Sequence, residues 1–245
     1  MDEYYRNLKP KAVIISGGGA YGYPMYQCID ILQQKYNLFE STTYWSGISI
    51  GSVCALCGIL KISPQYIVSV LNKLLSNFRI TPQQLIKAPD TYGIISLDPI
   101  VQAISKSLEL CGLSPRITFK QLHSFTRKYL CVYAVNIETN TLKSFHANTT
   151  PDVAIVDAII ASCSIPILFP YYHIHFGKTT SRYIDGGMLS DWAFPLEDFP
   201  DILPKDMLLI NNRFIQKDIS HNPPDNFLAY IQYVVSIIGY NVERL

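Results

Sequence analysis

Short apolar runs alternate with longer amphipathic stretches along the first sixty residues. Fully apolar runs are typical of strands buried on both faces, whereas apolar positions spaced three and four apart favour helices. The chain is therefore predicted to open with a strand, a helix, a second strand and a second helix, at residues 11–16, 25–35, 42–46 and Ile50–Leu60. This order favours parallel strands joined by helical crossovers.

Helix start and stop signals dominate the next part of the chain. Three N-cap residues are each followed by a proline, as is typical of a first helical turn: Ser63-Pro64, Thr81-Pro82 and Asp98-Pro99. Residues 63–111 are thus predicted to be mostly helical, with Gly112 ending the last helix. Thr118 and Gln121 have the spacing of a capping box for a further short helix.

The second half of the chain mixes strand and helix patterns. Residues 129–136 and 141–147 alternate around a turn at 138–140, which predicts a hairpin, and Thr150-Pro151 is expected to open a helix that runs to Cys163. The remaining predictions are strands at residues 182–184 and 207–210 and an amphipathic helix at 225–245. The pattern indicates an α/β fold, a three-layer α/β/α sandwich with a mainly parallel central sheet. We expect a single domain over residues 1–245, with a C-terminal strand and helix in 205–245.

The chain carries few charges for its size. Of its 245 residues, 49% are hydrophobic and 16% are charged, against about 25% charged residues in ordinary soluble domains. Its 20 basic and 19 acidic residues give a net charge of +1, which argues against nucleic acid as the main partner. The composition excludes disorder and indicates that the protein binds or approaches something apolar.

Targeting and metal-binding signals are weak. Residues 1–11 are polar and acidic at the start, unlike a secretory signal, and the apolar runs fall short of the roughly 20 residues that span a bilayer. Cys54 and Cys57 form a C-x-x-C without the further ligands of a zinc site, so core packing is favoured. We therefore expect a cytoplasmic protein without a bound metal.

Gly17-Gly18-Gly19-Ala20-Tyr21-Gly22 lies between the first strand and the first helix and satisfies G-x-G-x-x-G. In a dinucleotide-binding protein such glycines let the backbone approach a pyrophosphate. That function also needs a carboxylate at the end of the second strand to bind ribose. The second strand instead leads into Gly47, with no carboxylate, so a dinucleotide site is disfavoured.

Gly47-Ile48-Ser49-Ile50-Gly51 is a G-x-S-x-G at a strand-to-helix junction. Glycines two residues before and after the serine relieve crowding in a sharp turn, so the hydroxyl can project from the carboxyl edge of the sheet. The dipole of the following helix would stabilise negative charge that forms there. Ser49 is the candidate nucleophile, and the alternative is a tight structural turn with an incidental serine.

A serine nucleophile needs a base. In hydrolases ordered Ser, Asp, His the histidine follows the acid, and after Asp185 only His221 remains, in a polar loop. Asp185-Gly186-Gly187 follows a predicted strand, and its glycines let the backbone turn away, so the carboxylate can reach the same sheet edge as Ser49. To act as a base near neutral pH the carboxylate should be partly desolvated.

In combination these motifs resemble the patatin-like phospholipase family. That family has a G-G-G-x-x-G loop, a G-x-S-x-G elbow and a later D-G-G or D-G-A, which occur here in that order at residues 17–22, 47–51 and 185–187. Residues 161–170 also look like the stretch that precedes the family's aspartate. The resemblance covers about residues 11–195.

The resemblance implies a Ser49–Asp185 dyad without histidine in a lipid acyl hydrolase of phospholipase A type. Ser49 would attack a fatty acyl ester, Asp185 would take its proton and later activate water, and no cofactor or calcium is implied. The oxyanion hole would be formed by the backbone amides of Gly17, Gly18, Gly19 and Ala20, supported by the motif residues Gly22, Gly47, Gly51, Gly186 and Gly187. The partner would be a lipid substrate at a membrane or micelle surface, with peripheral membrane contact.

Two departures from the family pattern stand out. Family members often carry Arg or Lys where this chain has Tyr21, and many have Asn-Pro after the D-G-G, where residues 189–195 here read L-S-D-W-A-F-P. These differences leave open a catalytically weak lipid-binding or regulatory relative. A dinucleotide-binding module is the remaining alternative.

Overall fold

The computed structural model describes residues 8–19, 22–63, 66, 69, 81–192, 194 and 197–211. The strands within these residues are β1 (Ala12–Ile15), β2 (Tyr44–Ile48), β3 (Tyr129–Asn136), β4 (Thr141–Phe145), β5 (Tyr172–Phe176), β6 (Thr179–Asp185) and β7 (Met207–Ile210). The α-helices are α1 (Gly22–Tyr36), α2 (Ile50–Leu60), α3 (Pro82–Thr91), α4 (Asp98–Leu110), α5 (Phe119–Thr126) and α6 (Ile155–Ser162). Short 3-10 turns follow β6 and precede β7, at Gly186–Met188 and Pro204–Asp206.

The strands form one sheet in the order β5-β6-β3-β2-β1-β7, with β4 also paired to β3. The predicted α/β architecture is confirmed, and the predicted parallel pairing holds for β7, β1, β2 and β3. The sheet as a whole is mixed, because β4 and β6 run antiparallel to β3 and β5 runs antiparallel to β6. The β3–β4 and β5–β6 pairs are hairpins, whose short turns can join only antiparallel neighbours.

The core lies on both faces of the sheet. On one face Val13, Trp45 and Val132 pack beneath α2 and α6, and α1 and α4 pack on those two helices. On the other face Ile14 and Ile48 belong to a smaller cluster that is covered by the segment 197–202. The helix predicted at 225–245 lies outside the described residues.

Several predicted elements have different bounds. The first helix begins at Gly22, three residues before the predicted start, and β5 was not predicted. The helix predicted to begin at Thr150-Pro151 begins at Ile155 instead. Pro151 and Asp152 form a turn, and the carbonyl oxygens of Pro151 and Val153 accept hydrogen bonds from the first turn of α5. Proline and an N-cap residue therefore mark a turn here and not a helix start.

Helices α3 and α4 confirm the helices predicted to begin at Thr81-Pro82 and Asp98-Pro99. Gly112 follows the end of α4 and has a φ of +72°. Residues 64–65, 67–68 and 70–80 of the same predicted helical region lie outside the described residues. Within the part of the chain that the structure describes, none of the helices is both long and apolar enough to cross a bilayer.

Strand β3 brings the ends of two other strands together. Tyr133 pairs with Ile48 of β2 and also with β4. Ala134, the next residue, pairs with Asp185 of β6 and also with β4. Since β4 occupies one edge of β3 at both positions, β2 and β6 must share the other edge. They run in opposite directions, so their carboxyl ends meet.

Candidate active site

Ser49 occupies the sharp turn between β2 and α2. Its backbone has φ 52° and ψ −130°, a conformation that is uncommon for a residue with a side chain. The turn is tight enough that a Cβ atom on Gly47 would overlap the backbone of Gly51, and one on Gly51 would overlap the carbonyl oxygen of Ser16. The two glycines of G-x-S-x-G are thus required by close backbone approach.

Asp185 ends β6 directly beside this turn. The Ser49 hydroxyl donates a hydrogen bond of 2.7 Å to Asp185 Oδ2, between residues 136 positions apart in sequence. The second carboxylate oxygen, Oδ1, accepts from the amide of Gly187 at 2.8 Å. The Asp185 amide donates to the carbonyl oxygen of Ser164 at 2.9 Å. Both oxygens and the backbone of Asp185 are therefore fixed in place.

The environment of Asp185 changes its acidity. The residue is only 4% exposed, and burial raises the pKa of its carboxyl from 3.8 to about 6, because the charged form is desolvated. Hydrogen bonds from Ser49 and Gly187 favour the ionised form and limit the rise. The result is a carboxylate that is mostly ionised at neutral pH and yet more basic than an exposed aspartate.

The glycine loop passes next to Ser49. A Cβ atom on Gly17 would lie 3.7 Å from the Cβ of Ser49, and Gly19 has a φ of +53°. Among the described residues, none accepts a hydrogen bond from the amides of Gly17, Gly18 or Gly19. These amides are available to a ligand, whereas Ala20, the fourth predicted donor, and Tyr21 lie outside the described residues.

The other motif glycines pack against the same turn. Gly22 begins α1, and a Cβ atom there would overlap the side chain of Ile50 at the start of α2. A Cβ atom on Gly186 would overlap the carbonyl oxygen of Tyr133, where the chain crosses β3 after Asp185. Gly187 supplies the amide that binds the carboxylate.

Two serines that sequence reasoning missed hold the backbone of Ser49. Ser162 Oγ accepts a hydrogen bond of 2.8 Å from the Ser49 amide, and Ser52 Oγ donates one of 2.6 Å to the Ser49 carbonyl oxygen. Ser52 could have been found from its position three residues after the candidate nucleophile, in the first turn of α2. Ser162 lies within the family-like segment 161–170, but no spacing rule connects it to Ser49.

The histidines of the described residues lie elsewhere. His146 is fully buried at the end of β4, with Nε2 3.2 Å from Asp198 Oδ2 and its ring against Phe199. His173 and His175 are on the edge strand β5. No described histidine makes a hydrogen bond to Ser49 or Asp185, and His221 lies outside the described residues. The described part of the chain also contains no cluster of three or more His, Cys, Asp or Glu placed to hold a metal ion.

Comparison with known proteins gives the family. The model of the family described as patatin-like phospholipase matches residues 13–199, which include the glycine loop, the serine turn and Asp185. The chain belongs to the patatin-like phospholipase family. The resemblance carried by the three motifs is thereby confirmed.

Two individual proteins are similar to this chain. The chain is 31% identical over 204 residues to "Probable lipid hydrolase 463L" of Invertebrate iridescent virus 6, a match that covers 79% of this patatin-like chain and 66% of the viral protein. Among solved structures it is similar to VipD of Legionella pneumophila, with a TM-score of 0.54, 18% identity, and coverage of 83% of this chain and 50% of VipD. This chain thus spans just under two thirds of the viral relative and half of VipD. The likeness to VipD shows a shared fold.

Proposed function

We propose that this patatin-like protein is a lipid acyl hydrolase that cleaves fatty acyl esters of phospholipids or other glycerolipids, with Ser49 as nucleophile and Asp185 as base. The observation that carries the proposal is the 2.7 Å hydrogen bond from the Ser49 hydroxyl to a buried carboxylate. A nucleophile and a base in direct contact form the minimum arrangement for acyl transfer. Family membership and the lipid-hydrolase name of the viral relative support a lipid ester as substrate.

The first half-reaction acylates the serine. Ser49 Oγ forms a bond to the ester carbonyl carbon while its proton passes to Asp185 Oδ2, and the carbonyl oxygen becomes an oxyanion. When this tetrahedral intermediate collapses, the C–O bond to the alcohol breaks, and the departing oxygen takes the proton from Asp185. The products are the alcohol, such as a lysolipid, and an acyl-Ser49 ester.

The second half-reaction releases the fatty acid. Asp185, again ionised, takes a proton from a water molecule as its oxygen adds to the acyl carbon. Collapse of the second intermediate breaks the bond to Ser49 Oγ, which recovers the proton from Asp185. A single carboxylate therefore serves as base and acid in turn, a role that suits a pKa raised to about 6.

Oxyanion stabilisation is assigned to the glycine loop. The amides of Gly17, Gly18 and Gly19 donate to no acceptor among the described residues, and Gly17 lies next to Ser49. Each well-aimed donor in such a site stabilises the transition state by about 2.7–4 kcal/mol. We include Ala20 among the donors from its place in the motif.

Apolar side chains are exposed on the segments that lead away from the dyad. Leu189, four residues after Asp185, is exposed, and so is Ile167, three residues after Ser164. Ile167 also forms a β-bridge with Gly93, which follows the exposed Tyr92. Segments 92–97, 164–172 and 186–192 contain one charged residue, Asp191. We propose that these segments contact a neutral lipid surface, which gives the protein a peripheral membrane association.

The test is acyl release from mixed phospholipid vesicles, together with labelling by a fluorophosphonate probe that reacts with activated serines. Ser49→Ala should abolish both signals, and Asp185→Asn should abolish release while the protein stays folded. Ser107→Ala is the matched control, because Ser107 is also buried but its hydroxyl donates to the carbonyl oxygen of Ala103 within α4. Full activity in folded Ser49→Ala would refute the mechanism. Lipid binding without labelling of the wild type would favour the lipid-binding or regulatory alternative.

A further inference from the structure

The peptide groups on both sides of the Ser49 Cα are held by side chains. The carbonyl oxygen of Ser49 accepts hydrogen bonds from the hydroxyl and the amide of Ser52, at 2.6 and 2.9 Å. The amide of Ser49 donates to Ser162 Oγ at 2.8 Å. The contact with Ser52 is local to α2, whereas the contact with Ser162 comes from the end of a different helix, α6.

Ser162 has a single possible hydrogen-bond arrangement. Its side chain is fully buried, and its hydroxyl also lies 2.6 Å from the carbonyl oxygen of Tyr133 on β3. An amide can only donate and a carbonyl can only accept, so the hydroxyl proton must point to Tyr133 and a lone pair to Ser49. The Ser162 hydroxyl therefore links the Ser49 amide to β3, the strand that pairs with both β2 and β6.

The hydrogen bond between the Ser49 amide and Ser162 affects the direction of the Ser49 side chain. Ser49 has a positive φ, a conformation that a residue with a side chain keeps only when its surroundings enforce it. If the amide were released, the peptide plane could rotate toward a more common conformation. The hydroxyl would then move away from Asp185 Oδ2, from which it lies 2.7 Å.

We propose that Ser162 is a positioning residue for the Ser49 nucleophile. The inference rests on the proposed function of Ser49 but concerns a different residue, and it predicts an effect on the chemical step with little effect on substrate binding. In Ser162→Ala a buried amide and a buried carbonyl lose their partner. Misplacement of a reacting group on the scale of an ångström can cost about a hundredfold in rate, so we expect kcat to fall about tenfold to a hundredfold.

The experiment compares Ser162→Ala, Ser162→Thr and the control Ser107→Ala on a soluble short-chain ester, with melting temperatures measured in parallel. We expect Ser162→Ala to lose kcat with KM changed by less than about twofold, and to react more slowly with the fluorophosphonate probe. Ser162→Thr, which keeps the hydroxyl, should recover most of kcat. Ser107→Ala, which removes a hydroxyl that bonds within its own helix, should keep the kcat of the wild type.

Two outcomes would overturn the positioning role. One is a folded Ser162→Ala protein with kcat within about twofold of the wild type, which would mean that the hydroxyl is dispensable. The other is a folded Ser162→Thr protein no faster than Ser162→Ala. Ser49→Ala is assayed in the same experiment, so that failure of the function proposed for Ser49 can be told apart from failure of the positioning role of Ser162. An active Ser49→Ala refutes the function proposed for Ser49, whereas an inactive Ser49→Ala beside a fully active Ser162→Ala refutes only the role of Ser162.

Discussion

Lowering the pH from 7 to 5 should slow acyl release about tenfold, because the base must be ionised to accept the Ser49 proton. Burial raises the pKa of Asp185 to about 6, so the ionised fraction falls from about 90% at pH 7 to about 9% at pH 5. An exposed aspartate, with a pKa near 3.9, would still be about 93% ionised at pH 5. The pH dependence therefore reports directly on the desolvation of this carboxyl group.

The measurement is kcat/KM for a soluble short-chain ester between pH 4.5 and 8.5, since this ratio follows the ionisation of the free enzyme. A monomeric substrate avoids changes in vesicle binding, and Ser49→Ala gives the background rate. Circular dichroism must show that the protein stays folded at pH 5. This control matters because burial lowers the pKa of His146, and a buried neutral histidine that must become charged destabilises the fold in acid.

A flat rate between pH 7 and pH 5, in a protein that remains folded, would refute the reasoning. It would mean either that Asp185 has an ordinary pKa or that its ionisation does not limit the reaction. A rate that falls with an apparent pKa near 7 would instead point to a histidine as the base.

Three further predictions concern the same structure. The pKa of Asp185 in the folded protein lies above its unfolded value, so ionisation of this carboxyl lowers the free energy of unfolding as the pH rises through about 6. Asp185→Asn should therefore be more stable than the wild type at pH 8, by up to about 3 kcal/mol in urea unfolding. This difference in stability should disappear near pH 4. Gly47→Ala should lower the melting temperature far more than Gly177→Ala, since a Cβ on Gly47 overlaps backbone and one on Gly177 meets no atom within 4 Å. Binding to neutral phosphatidylcholine vesicles should change less than about twofold between 50 and 500 mM NaCl, and Leu189→Ser should weaken it, as measured by sedimentation.

Local patterns predicted those elements whose structure depends on neighbouring residues. Helix α2 has the predicted bounds, and the capping box at Thr118 and Gln121 is present with both of its hydrogen bonds. The pattern failed where a distant segment decides the backbone. The carbonyl oxygens of Pro151 and Val153 accept hydrogen bonds from the first turn of α5, and β5 alternates apolar residues with two histidines, a weak strand signal.

In the candidate site, too, local features could be predicted from the sequence, whereas a contact between distant segments could not. The G-x-S-x-G spacing predicts a sharp turn, and the structure explains its glycines by the closeness of Ser16 and Gly51. Nothing in the sequence predicts that Ser162 reaches the amide of Ser49 across 113 residues. That contact depends on how α6 packs on β3, which is a property of the folded sheet.

The shared edge of β3 also bears on why a carboxylate, and not an imidazole, would act as the base. β2 and β6 approach along one edge from opposite directions and end at adjacent positions of β3, opposite Tyr133 and Ala134. The side chains that follow these ends are necessarily close, and the Ser49 hydroxyl and Asp185 carboxylate lie 2.7 Å apart. In a serine–histidine–aspartate arrangement the ring stands between hydroxyl and carboxylate and bonds to both. At hydrogen-bond distance no ring fits between them, so in the proposed mechanism the carboxylate takes the proton itself, and the burial that raises its pKa makes it a stronger base for that step.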